Sequence, residues 1–97
     1  MEFAFTSPLA RWDKKPALWT FVLLSEEISD AIAATTAGRE KGFGSARVQV
    51  TVGAAVWTTS IFPSDSAYML PIKKAVRESE GLELGAPVVG TVQLLDF

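Results

Sequence analysis

The chain has 97 residues, a mass of 10.4 kDa, no cysteine, no histidine and a net charge of -2. A chain of this mass buries about two-thirds of its unfolded surface, so we expect residues 1–97 to form one domain with one core. Without cysteine and histidine, the chain supplies no thiolate nucleophile, no imidazole base and no Cys/His zinc ligands. Carboxylates, lysines, Tyr68 and hydroxyls remain for chemistry, but their spacing indicates neither an acid/base pair nor a calcium loop. We predict no metal centre, no cofactor and no catalytic residue.

The beginning of the chain, MEFAFTSPL, has neither a basic segment nor a long apolar run, which is untypical of a signal peptide. No apolar run in the chain approaches the roughly 20 residues that a membrane-spanning helix needs. The lack of cysteine fits a reducing compartment. We expect a cytoplasmic protein that does not contact a membrane.

The first half of the chain is predicted to form two strands followed by a helix. Alternating phenylalanines near the start indicate a short edge strand that ends at Pro8. Residues 18–24 are apolar on both faces, which is typical of a central strand and would bury Trp19 in the core. Ser25 is a suitable N-cap for a helix with an acidic first turn, and Gly38 is a suitable stop.

The middle of the chain predicts a β-hairpin. Valines alternate with polar residues over 48–52, as in a half-buried strand, and residues 53–54 suit a type II′ turn. In the resulting register, Trp57 shares the valine face, while Arg47 lies opposite Ser60 on a polar face. The hairpin therefore has one core face and one polar strip.

The last third of the chain repeats the order of the first. Residues 67–70 predict a strand, which is followed by a helix that starts at Pro71 and ends at Gly81. Residues 88–95 predict a final strand, in which Gly90 indicates a close approach of another segment. Strand, helix, glycine and strand thus occur twice. We predict a mainly β fold, a pseudo-symmetric β barrel with two short helices.

The segments KGFGSARVQVTVGAAVWTTSIFP and YMLPIKKAVRESEGLELG, residues 41–63 and 68–85, resemble the bacterial DUF1905 family of unknown function. The resemblance extends from Phe3 to Leu95. It implies a double-split β barrel, similar in architecture to the swapped-hairpin barrels of AbrB-type DNA-binding proteins but closed within one chain. Some relatives carry a second domain, which implies an accessory module.

Basic residues gather at the start of the second predicted helix, where Lys73, Lys74 and Arg77 lie. The helix macrodipole disfavours cations there by about 0.3–1 kcal/mol each, but basic side chains and free N–H groups together can bind an anion. Arg47 and Ser60 form a second candidate if the barrel turns the polar strip inward. The alternative interpretation is a solvated helix face and an outward strand face.

Two aromatic residues are candidate ligand contacts. Trp12 lies between Arg11 and Asp13 and is the best candidate for an exposed aromatic side chain. Phe43 lies in a glycine-rich loop and is expected to cover the barrel mouth. The spacing of that loop does not fit a phosphate-binding motif.

Our hypothesis is a non-enzymatic binding or accessory module with an anion site. Its partner is an anionic small molecule or a protein, and the chain is a monomer or a weak homodimer. A nucleic-acid-binding protein is the first alternative, by analogy with the AbrB-type barrels, although 9 basic against 11 acidic residues disfavours it. The second alternative is an enzyme with a Lys/Arg/Tyr pocket.

Overall fold

The computed structural model describes residues 1–12, 19–38, 44–65 and 67–95. These residues form a mainly β fold with two short helices, as predicted. The elements are β1 (Glu2–Pro8), β2 (Ala10–Arg11), β3 (Thr20–Leu23), α1 (Glu26–Thr36), β4 (Ala46–Val52), β5 (Ala55–Ser64), β6 (Ala67–Ile72), α2 (Lys74–Ser79) and β7 (Pro87–Leu94). Within the described ranges, neither helix has the length and apolar character needed to cross a membrane.

The strands form one strongly curled antiparallel sheet in the order β1-β7-β4-β5-β6-β3-β2. The long strand β5 pairs first with β4 and then with β6. In the same way, β1 pairs with β7 and β2 pairs with β3, with only Leu9 between β1 and β2. The predicted two-fold repeat is therefore present in the strand pairing, and the barrel takes the form of a half-barrel.

The predicted β4–β5 hairpin is confirmed in its register. Val50 lies opposite Trp57, and Arg47 lies opposite Ser60. The valines of β4 are buried and Trp57 is only 9% exposed, so this face joins the core. One buried cluster unites the inner side chains of the sheet with both helices, and it includes Phe5, Val22, Ile32, Val48, Ile61, Leu70, Val76 and Val92.

The predicted Ser25 cap of α1 is confirmed, and a second serine anchors the helix to the sheet. The Ser25 hydroxyl accepts a hydrogen bond from the Ile28 N–H at 3.2 Å. The buried Ser29 hydroxyl accepts another from the Tyr68 N–H at 2.9 Å, which ties α1 to β6. On the inner face of α1, Ile32 is fully buried.

The predicted start of the second helix at Pro71 is wrong. Pro71 belongs to β6, opposite Phe21 of β3, and α2 begins at Lys74. In the β3–β6 ladder, Phe21 and Pro71 form a non-hydrogen-bonded pair, so a backbone N–H at position 71 would point away from β3 and toward β5. Since the ladder between β5 and β6 ends at Met69, the proline removes no ladder hydrogen bond there.

The predicted end of α2 and the predicted close approach at Gly90 are both confirmed. The Leu82 N–H bonds to the Arg77 carbonyl at 2.9 Å and the Gly81 N–H to the Glu78 carbonyl at 3.3 Å, which is a Schellman ending. Gly90 in β7 lies so near the Thr51 carbonyl that a Cβ atom would collide with it.

Candidate ligand-binding site

The outer face of the second part of the sheet, formed by β3, β6 and the end of β5, is apolar. Leu23 lies opposite Met69, and Met69 lies opposite Phe62, so three neighbouring strands contribute one apolar row. Phe21 and Pro71 form the adjacent pair. Leu23 and Phe62 remain 46% and 38% exposed, so the described residues do not cover this face.

These side chains line a cavity of about 770 Å³ together with two tryptophans. The rings of Trp12 and Phe21 meet edge to face, with centroids 6.4 Å apart and an interplanar angle of 74°. The Trp12 N–H donates to the Trp19 carbonyl at 2.8 Å, which holds the two tryptophan backbones side by side. We call this cavity the aromatic groove and define it by Trp12, Trp19, Phe21, Leu23, Phe62 and Met69.

The prediction that Trp19 packs in the core is wrong, since its side chain is 53% exposed. Strand alternation places Trp19 on the same side as Leu23, while Val22 and Leu24 point into the core. Residues 19–24 are apolar on both faces because one face is core and the other lines the groove. A strand with apolar residues on both faces is thus the sequence signal of the groove, although the same pattern is typical of a buried central strand.

A second cavity of about 460 Å³ adjoins the aromatic groove. It is lined by Trp57 and two threonines of β5 and by the two lysines that follow β6. Trp19, Thr20 and Pro71 line both cavities and form a wall common to them. We call the second cavity the lysine cavity and define it by Thr58, Thr59, Lys73 and Lys74.

The two lysines of this cavity are exposed and have no partner within the described part of the chain. Lys73 occupies the N-cap position of α2 without a side-chain capping bond. Among the described residues, neither the Lys73 nor the Lys74 ammonium group makes an ion pair or hydrogen bond. Since α2 has only six residues, fewer than two turns, we assign the positive potential of the cavity to the lysine side chains rather than to the helix.

Arg77, the third predicted cation of α2, lines neither cavity. Its Nη1 donates to the Thr20 hydroxyl at 3.3 Å, and that hydroxyl donates to the Ile72 carbonyl at 2.8 Å. Thr20 is only 5% exposed and belongs to the common wall. Arg77 therefore connects α2 to the wall between the two cavities.

The structure does not bring Arg47 and Ser60 together with the lysines. The two residues pair in the β4–β5 ladder, and neither lines the groove or the lysine cavity. The polar strip faces outward and Arg47 is exposed on it. A ligand contact at this pair stays a prediction, and Phe43 lies outside the described residues.

The described residues present no cluster that suggests metal-dependent or acid/base chemistry. No group of three or more acidic side chains in the described ranges is placed to hold a metal ion. Tyr68, the only tyrosine of the chain, is 7% exposed and lines neither cavity. The two cavities are lined by aromatic rings, hydroxyls and the cations of Arg11, Lys73 and Lys74.

The fold and site define a small half-barrel of split antiparallel ladders with two adjoining surface cavities. The family model of DUF1905, a domain of unknown function, matches residues 5–93, so the chain belongs to this family. No curated protein was found to match the chain.

Proposed function

We propose that the protein is a non-enzymatic binding module for a ligand with a negatively charged group, which Lys73 and Lys74 contact. The observation that carries this proposal is the lysine cavity, where two unpartnered ammonium groups face the same space as two threonines. We expect the module to act in the cytoplasm, as a monomer or a weak homodimer, on a small molecule or a protein partner.

The chemistry of the cavity supports an anion rather than a neutral ligand. Ammonium groups and hydroxyls both donate hydrogen bonds, and bonds from a cation to a carboxylate or phosphate are about twice as strong as neutral ones. None of the described side chains that line the lysine cavity is acidic. An anionic group would therefore add partners to Lys73 and Lys74 without displacing any of the described side chains.

The experiment is a titration of the ¹⁵N-labelled protein with sodium phosphate and sodium acetate at constant ionic strength. We expect the largest amide shifts at Lys73, Lys74 and Thr59. The double variant Lys73→Gln/Lys74→Gln should weaken binding by about tenfold or more, the fold change that corresponds to one lost charge-assisted hydrogen bond.

Arg47→Gln is the matched control, because it removes an exposed cation that lies outside both cavities. We expect it to change the affinity by less than about twofold, as is usual for a distant surface charge. An effect as large as that of the lysine variant would move the anion site to Arg47 and Ser60. Unshifted amides at Lys73 and Lys74 would contradict the proposal.

A single-stranded nucleic acid is the second candidate ligand. The observation that favours it is the exposed Trp19 and Phe62 on a sheet face beside two lysines, since bases stack on such rings. The overall charge of -2 disfavours it. A gel shift of oligothymidylate that weakens steeply with salt would support this candidate, and no shift even at low salt would exclude it.

A further inference from the structure

We infer that the aromatic groove binds the apolar part of the same ligand, and that the ligand class is a soluble aliphatic carboxylic acid. The chain of the acid would lie along the groove, with its carboxylate at Lys73 and Lys74. This inference rests on the proposed function, because it takes the lysine cavity as the anion site.

Exposed apolar side chains lie next to one another only on this side of the described sheet, since the exposed Val56 and Val89 of the other part lie opposite Thr51 and Thr6. The outer face of the β4–β7 ladder presents polar side chains, among them Arg47, Gln49, Thr51, Thr91 and Gln93. On the β3–β6–β5 side, the corresponding outward positions hold Trp19, Leu23 and Phe62, which are 53%, 46% and 38% exposed. Adjacent large apolar side chains left open to water are typical of a binding surface.

The groove and the lysine cavity are continuous, which makes one ligand for both the simplest occupant. Trp19, Thr20 and Pro71 border both spaces, so a chain in the groove reaches the lysine cavity at that wall. The backbone is extended from Met69 to Lys73, whose φ and ψ are -74° and 155°. Four extended residues span about 13 Å, the length of a chain of about ten carbons.

The charges at the two ends of the groove orient such a ligand. Arg11 and the two lysines lie at the end formed by Thr20 and Ile72. The opposite end is formed by Ser64, and the chain continues from there to Asp65. A single acid group is therefore attracted to one end only. A membrane surface fits less well, because its anionic headgroups would surround the whole apolar face, including Asp65.

The test is a series of titrations of the full chain with butyrate, octanoate, decanoate and 1-octanol, each below its micelle concentration or solubility limit. We expect the affinity of the acids to rise about threefold to fourfold for each methylene that the groove buries. Butyrate should shift amides near Lys73 and Lys74 only, and decanoate should also shift those of Leu23 and Met69. Octanoate should bind about tenfold tighter than 1-octanol, since only the acid engages the ammonium groups.

Leu23→Ser tests the groove directly, and Val89→Ser is its control, because Val89 is 65% exposed on the other part of the sheet. We expect Leu23→Ser to weaken decanoate binding about tenfold and to leave butyrate binding within about twofold, because only the long chain reaches position 23. Val89→Ser should change neither. Phe62→Ser repeats the test from another strand if Leu23→Ser does not fold.

The outcomes separate this inference from the proposed function. Equal affinities for all acids, with shifts confined to the lysines, would overturn the inference and leave the anion site standing. Equal affinities for octanoate and 1-octanol would overturn it as well. If decanoate binds only in the presence of phospholipid vesicles, the result would point to a membrane surface and would overturn the soluble ligand. If no acid binds but phosphate still shifts the amides of Lys73 and Lys74, only the inference falls. If neither the acids nor phosphate shifts them, both proposals fall.

Discussion

The two parts of the sheet share one core and differ in what they present to water. Around β4 and β7, buried valines alternate with outward polar residues such as Gln49 and Thr91. Around β3 and β6, the inward residues are also apolar, but so are the outward ones, with Leu23 beside Met69. The inward side chains therefore explain the fold of both parts, while the row of adjacent outward apolar side chains, which requires a functional explanation, occurs around β3 and β6.

The largest effect should come from the inner face of the second part. Leu70 is fully buried opposite Val22, so Leu70→Ala leaves a cavity and should lower the free energy of unfolding by about 2–5 kcal/mol. Leu23→Ala on the outer face of the neighbouring strand should cost no more than about 0.5–1 kcal/mol. Urea denaturation followed by tryptophan fluorescence measures both. Equal losses would show that the outer face is packed, and the comparison between the two faces would fail.

An intermediate effect is expected on the binding of an uncharged apolar dye, N-phenyl-1-naphthylamine. The double variant Leu23→Ser/Phe62→Ser should reduce its fluorescence enhancement severalfold, because it removes two exposed walls of the groove. Val56 and Val89 are even more exposed, at 60% and 65%, but lie outside the groove. The control Val56→Ser/Val89→Ser should keep the enhancement, and an equal loss in both variants would mean that exposure alone captures the dye.

The smallest effect concerns the two helices, of which α1 follows β3 and α2 follows β6. Ser25 caps α1, whereas Lys73 holds the equivalent position of α2 without a capping bond. Lys73→Ser should therefore stabilise the protein by up to about 1 kcal/mol, seen as a raised midpoint of thermal unfolding. The same change should weaken binding of acetate and leave dye binding unchanged. A lowered midpoint would indicate that the lysine stem contributes more by packing than the cap does by hydrogen bonding.

Much of the fold could be predicted because the relevant patterns are local. Alternating valines and a two-residue turn at 53–54 determine the β4–β5 register, and Ser25 and Gly81 mark a helix start and a helix end. The repeat of strand, helix and strand then indicates the two-fold pairing. The sequence places Pro71 at a helix start because a proline is common there and rare inside a sheet. Its position in β6 is possible because the β5–β6 ladder ends at Met69, which the sequence does not reveal.

The site was less predictable, since it depends on which strands are neighbours. Lys73 and Lys74 were identified from their unusual place at a helix start, but Thr58 and Thr59 join them only through the curl of the sheet. The sequence does not assign Trp19 to the core or to the groove, because a strand that is apolar on both faces fits either arrangement. Arg77 was predicted as a ligand contact, and its bond to Thr20 depends on a strand 57 residues earlier in the chain.

The ladder between β1 and β7 has a consequence for how the chain folds. It joins Glu2 to Gln93 and Pro8 to Pro87, so the first strand finds its partner almost a full chain length away. Closing so long a loop costs entropy before any contact offsets it, and β domains dominated by such pairings fold in about milliseconds to seconds. During synthesis, β1 therefore waits for β7 to be made, whereas the β4–β5 and β5–β6 ladders join strands that are neighbours in the sequence and can pair earlier.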